Sequence, residues 1–234
     1  MRSARLPLVL LFLTAVACSS LAPTRADPGD LSNGVLITHH PPLIEFTNPP
    51  PVEGWCDVYQ DGFQIHCCSE QNARIDLDPG EGTVWFILAA WEEEKEFCGI
   101  DFGFGDYEAD LFLFDDFFVC PPEGTGALQW PTPGWPGPNE GVMVTRTGSI
   151  GWQGNFVPIY HFTGYAYGAG IIPLARDPQT GDAAFCNCIE PYELFDIECL
   201  GGMGIATDGI ECCPEGGPSR AAASSWGTIK RLYR

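Results

Sequence analysis

The chain has 234 residues, and its 31 acidic side chains against 11 basic ones give a formal charge of −20. All the acids lie between Asp27 and Glu215, where Arg74, Lys95, Arg146 and Arg176 are the only cations, so residues 27–219 carry −27. Phosphate backbones and anionic membranes are gripped by Lys and Arg, so this balance excludes nucleic-acid binding.

At the N-terminus Arg2 and Arg5 precede an apolar run from Leu6 to Ala17, the charged-then-apolar order of an export signal. A run of about a dozen residues is shorter than the roughly 20 that span a bilayer, and no later segment is long and apolar enough to do so. Two processing schemes compete. A cut after Ala26 makes residues 1–26 the signal; a lipobox at Ala15-Val16-Ala17-Cys18 makes Cys18 a lipidated N-terminus and the only route to a membrane.

Residues 27–54 are a Pro-rich lead-in with one strand expected at 34–39. From residue 55 to 214, short β-branched and aromatic runs are broken by Gly or Pro every ten residues or so, the spacing of a sandwich or barrel. The predicted strands are 57–59 and 64–67 around an Asp61-Gly62 turn, then 83–91, 97–104, 111–119, 141–147, 156–167 and 205–212. One exposed helical turn is expected over 91–97, at Glu92, Glu93, Glu94 and Lys95. Residues 215–225 read as a linker and 226–234 as a basic aromatic tail with Trp226, Lys230, Arg231 and Arg234. The expectation is an all-β chain: a single disulfide-stapled β-sandwich-like domain with long Gly/Pro-rich loops, a flexible lead-in and a tail. Two stretches also echo one another, Asp61-Gly62 through Cys67-Cys68 and Asp208-Gly209 through Cys212-Cys213. They read either as equivalent hairpins or as coincident turn chemistry.

With Cys18 assigned to processing, ten cysteines remain: Cys56, Cys67, Cys68, Cys98, Cys120, Cys186, Cys188, Cys199, Cys212 and Cys213. An even number in an exported chain predicts up to five disulfides, with connectivity open. Paired zinc-ligand spacing is lacking.

The densest carboxylate set is Asp101, Asp106, Glu108, Asp110, Asp115 and Asp116. As an EF-hand loop begun at Asp106 it fails, with Leu111 at the glycine position and Phe117 at the final glutamate position. A non-EF calcium site is retained as an alternative to a solvated face. Trp130, Trp135 and Trp152 fall in a loop-rich stretch and are candidates for ligand stacking, against packing in the core. Histidines 39, 40, 66 and 161 are scattered, Ser69 and Ser149 have no evident base, and no nucleophile elbow, HExxH or Walker loop occurs. No catalytic residue is assigned.

The ending Trp226-Gly227-Thr228-Ile229-Lys230-Arg231-Leu232-Tyr233-Arg234 resembles the W-G-x-[IV]-K-x-[LT]-[YF]-R terminus of a group of uncharacterised exported bacterial β-rich proteins. The body is similar to theirs in VWFILAAWEEEKEFCGIDFGFGDY (84–107), GWPGPNEG (134–141), GNFVPIYHFTGYAYG (154–168), GGMGI (201–205) and CCP (212–214). The resemblance covers most of residues 55–234. It implies a tail that meets a sorting or anchoring partner, and a domain outside the known catalytic families.

The sequence therefore points to an exported, non-enzymatic domain, secreted or in the cell envelope, with a structural, adhesive or interaction role. No cofactor is required and calcium is the candidate ion; a glycan or a cell-surface protein is the candidate partner. A calcium-supported carbohydrate-binding module is the alternative, and a secreted hydrolase the third.

Overall fold

The computed structural model describes residues 29–52, 54–122 and 124–214. The export segment with Cys18, the linker and the basic tail lie outside the described residues. The elements run β1 (Val35–His39), α1 (Trp55–Gly62), a 3-10 turn (Cys68–Glu70), β2 (Arg74–Ile75), β3 (Gly82–Phe97), β4 (Gly99–Phe104), β5 (Phe112–Val119), β6 (Ala127–Pro131) and β7 (Gly141–Arg146). They continue with β8 (Trp152–Ala166), β9 (Gly170–Ala175), β10 (Ala184–Cys186), β11 (Leu194–Asp196), β12 (Cys199–Leu200) and β13 (Gly202–Ile205).

These strands make two sheets, as an all-β sandwich requires. The first has the order β12-β1-β3-β8-β5; the second has β11-β10-β4-β9-β13-β2, with β7 also pairing with β4 and β6 with β7. Their facing surfaces enclose an aromatic core in which Trp85 stacks on Phe162 at 4.5 Å and Phe104 on Trp135 at 4.8 Å. The other face of the first sheet is covered too. Val84, Phe86, Leu88 and Ala90 pack there with Trp55, Tyr59 and Ile65. A strand buried on both faces has no polar side to alternate with, which is why residues 84–91 are an unbroken apolar run.

Four expectations are corrected. Residues 57–59 are helix, because Trp55 and Tyr59, four apart, fall on one face of α1 and are buried against the first sheet. Residues 64–67 are not the second strand of a hairpin: once 55–62 form a helix they have no strand to pair with, and they run as a loop into the 3-10 turn, with Ile65 buried beside α1. Residues 91–97 continue β3 instead of forming a helical turn. After a register shift, Lys95–Phe97 pair with Gly154, Gln153 and Trp152, leaving Glu92, Glu93 and Glu94 in solvent. Residues 206–212 leave the sheet after β13, returning only at the bridge from Gly202 to Ile210.

Four disulfides join Cys56 to Cys120, Cys68 to Cys213, Cys98 to Cys188 and Cys199 to Cys212. Cys67 is also disulfide-bonded. The two Cys-Cys dipeptides are thus fastened to each other through Cys68 and Cys213, although one sits beside a helix end and the other in a loop. Cys186 departs from the expected full pairing. Its neighbour Cys188 reaches Cys98, and Cys186 keeps a free thiol directed at the Asn187 carbonyl. Several cross-links in one domain belong to an oxidising compartment.

Candidate functional site

The outward face of the second sheet is built by register. Residues opposite one another across antiparallel strands share a face, and Trp130, Met143, Asp101, Ala184 and Asp196 stand in one such row across β6, β7, β4, β10 and β11. The next row is Leu128, Thr145, Gly99, Cys186 and Leu194. Alternate residues of the central strand point inward, and Ile100, Phe102 and Phe104 are core. On the outward rows Trp130 is 54% exposed, Leu128 51% and Met143 42%. The β6–β7 ribbon therefore offers an apolar patch to solvent, next to the acids of the sheet centre.

In the outward row on the other side of Asp101, Gly103 pairs with Gly141. The loop that follows β9 folds back over this pair. A Cβ on Gly141 would meet the Asp177 carboxylate at 2.3 Å, and one on Gly103 would meet the Arg176 carbonyl at 3.1 Å. Two facing glycines thus leave a floor on which the loop lies flat. The loop is closed by its own bonds: Asp177 N–H to the Asp182 carbonyl at 2.7 Å, Gly181 N–H to the Asp177 carbonyl at 2.7 Å, and Gln179 N–H to Asp177 Oδ1 at 2.7 Å. Thr180 then reaches down and donates to Asp101 Oδ2 at 2.8 Å. Asp101 and Asp177 end up 8% and 3% exposed. Asp101 Oδ1 is buried with no hydrogen-bond partner. Burial pushes the Asp101 carboxyl up to about 6, opposed by the Thr180 hydroxyl and reinforced by the charges of Asp177 and Asp182. Arg176 does not neutralise the pair; its guanidinium faces Asp182 at 4.0 Å and Asp196 at 3.8 Å.

The other carboxylates expected at a calcium site are dispersed. Asp106 accepts from Asn139 Nδ2 at 3.2 Å. Glu108 and Asp110 line a shallow hollow with Leu113 and Tyr167, and Asp115 and Asp116 lie on β5. Among the described residues, no three of the six approach to chelating distance.

The three tryptophans also part company. Trp135 is buried with its Nε1 donating to the Tyr160 hydroxyl at 3.3 Å, and Trp152 is buried with its Nε1 donating to the Cys120 carbonyl at 2.7 Å. Their rings fill the core, leaving Trp130 as the accessible member of the three.

Two histidines lie under α1. His39 pairs with Phe86 and Phe86 with His161 in a row of the first sheet. His161 Nδ1 is 3.3 Å from Cys56 Sγ, and Cys56, Cys120 and His161 form a compact set of metal-ligand residues. Both sulfurs are committed to the disulfide, so neither is a thiolate nucleophile or ligand here.

No family model matches the chain, and no curated protein matches it. Among solved structures it is similar to the seventh ScaB type I cohesin from Pseudobacteroides cellulosolvens, at 14% identity and a TM-score of 0.40, over 58% of this chain and 90% of the cohesin.

Proposed function

We propose that this is an exported interaction domain that docks a partner protein on the outward face of the second sheet, around Trp130, without catalysing a reaction. The supporting observation is the clustering of Leu128, Trp130 and Met143 on one exposed ribbon, where Trp130 stands open to solvent while the other tryptophans among the described residues are buried. Tryptophan and methionine are over-represented at protein interfaces, and exposed Trp is a frequent binding hot spot. The partner has an apolar knob ringed by Lys and Arg, complementary to the acidic body.

The chain's ends serve location in this proposal. The first 26 residues direct export, with lipidation at Cys18 as the tethered variant, and residues 226–234 engage a sorting or anchoring partner. Its place is then the envelope or the medium. Deleting residues 226–234 should change where the protein accumulates; unchanged location removes the sorting role.

Docking is tested by immobilising wild-type protein and Trp130→Ala and comparing their retention of basic envelope proteins and of polysaccharides. At least a tenfold loss of protein capture in the variant is expected, since a hot-spot truncation costs about 1.4 kcal/mol or more. Equal capture by both, or retention of polysaccharide alone, would end the protein-docking proposal.

A further inference from the structure

We propose that Asp101 and Asp177 hold a calcium ion between the second sheet and the loop that follows β9. This goes beyond the docking proposal and is independent of it. The loop whose turn closes on Asp177 also bonds Asp101, through the Thr180 hydroxyl at 2.8 Å; both carboxyls are more than nine-tenths buried, and the loop's own cation, Arg176, is turned away to Asp182 and Asp196. An uncompensated buried carboxylate is costly, and here like-charge repulsion adds to the cost. A proton or a metal ion removes it.

The surroundings favour the ion. Asp101 Oδ1 has no partner at all, and Asp177 has one oxygen engaged by the Gln179 N–H, leaving its other oxygen for a ligand. The glycine pair Gly103 and Gly141 clears the space that sets Asp177 against the sheet. The donors are all oxygen, as calcium prefers and as zinc or copper do not. Asp182 stands half exposed at the loop's end, so the outer side of the site is open to the waters that fill a calcium shell. Bound there, the ion would pin the loop beside the Met143 and Trp130 patch.

The experiment follows thermal unfolding of the full-length chain in EDTA, in calcium chloride and in magnesium chloride at pH 7.5, for the parent, Asp101→Asn and Asp177→Asn. Calcium at 100-fold over its Kd should raise the parent midpoint by roughly 5–11 °C, with a Kd on the order of the 0.1–1 mM typical of extracellular calcium modules. Asp101→Asn should lose that shift while unfolding in EDTA no earlier than the parent, because the repulsion has gone. That combination cannot arise from simple misfolding. Should either variant fail to fold, Gly141→Ala, which displaces the Asp177 carboxylate, must show the same loss of calcium response. Absence of a calcium shift in the parent would overturn the proposal and leave a shared proton as the pair's solution. Full retention of the shift in Asp101→Asn would overturn it equally, by placing the ion elsewhere on the acidic surface.

Discussion

Buried neutral histidines should make this domain acid-sensitive in a window that one substitution can isolate. His161 is 5% exposed and burial pulls its imidazole down to about 4. Its Nε2 has no partner, and a proton there would be charged inside an apolar layer. The unfolded chain binds the proton near 6.5, so between 6.5 and 4 it holds more protons than the folded chain. Stability from this group is therefore complete above 6.5 and lost as pH falls toward 4. With these two values, acidification from pH 7.5 to 4.5 costs about 2.5 kcal/mol through His161 alone. His39, whose Nδ1 accepts the Asn72 N–H at 3.1 Å and is likewise pulled down to about 4, adds a similar loss. Asp101, raised to about 6, works in the opposite direction and is lost from the balance as pH rises through that value. The assay is urea unfolding of the parent and His161→Gln at half-unit intervals from pH 7.5 to 4.5. The variant is less stable at neutral pH, and the gap between the two proteins narrows by about 2.5 kcal/mol across the series. A constant gap would show that His161 is not buried in its neutral form, and the account of the layer beneath α1 would fail.

Other consequences are simpler. Replacing Cys56 and Cys120 together by Ser opens a cross-link spanning 64 residues and should cost about 4 kcal/mol of stability on the loop-entropy relation, read from denaturant midpoints; a loss under 1 kcal/mol would count against it. Trp85→Ala removes a ring stacked on Phe162 at the centre of the core and should cost about 3–5 kcal/mol, whereas Trp130→Ala should change stability by less than about 0.5 kcal/mol. Gly164→Ala would set a Cβ 2.1 Å from the Leu113 carbonyl, in the ladder between β5 and β8, and should lower the yield of folded protein; a normal yield at normal stability would show that the two strands are less closely paired.

Much of the fold was legible because its signals are local. Residues 34–39, 111–119 and 156–167 carry β-branched and aromatic runs bounded by turn residues, and they became β1, β5 and the main part of β8. The sequence pattern failed where distant contacts decide. Asp57 to Tyr59 carries Val and Tyr, which favour strands, yet Trp55 and Tyr59 at helical spacing found a sheet to cover. β6 was hidden in a Pro-rich stretch, because its pairing partner lies across a long loop on β7. The candidate site was less legible still. Asp101 was singled out, but for its sequence neighbours in 106–116. Asp177 went unnoticed, since it comes from a turn 76 positions away that becomes its neighbour only when Gly103 and Gly141 meet across β4 and β7. The one early signal was the Asp-Pro-Gln-Thr-Gly-Asp stretch at 177–182, a turn with carboxylates at both ends. Trp135 and Trp152 suggested a platform because they fall in a loop-rich stretch, yet their rings pack in the core.

The central claim is that partners meet the outward face of the second sheet, and site-specific photo-crosslinking tests it most directly. A benzophenone side chain placed at position 130 in the exported protein, in its producing cells, should give a discrete covalent adduct with another protein. The same group at position 118, an exposed ring position on β5 of the first sheet, should give none. Adducts from 118 and not from 130, or from neither position, would contradict the assignment of this face.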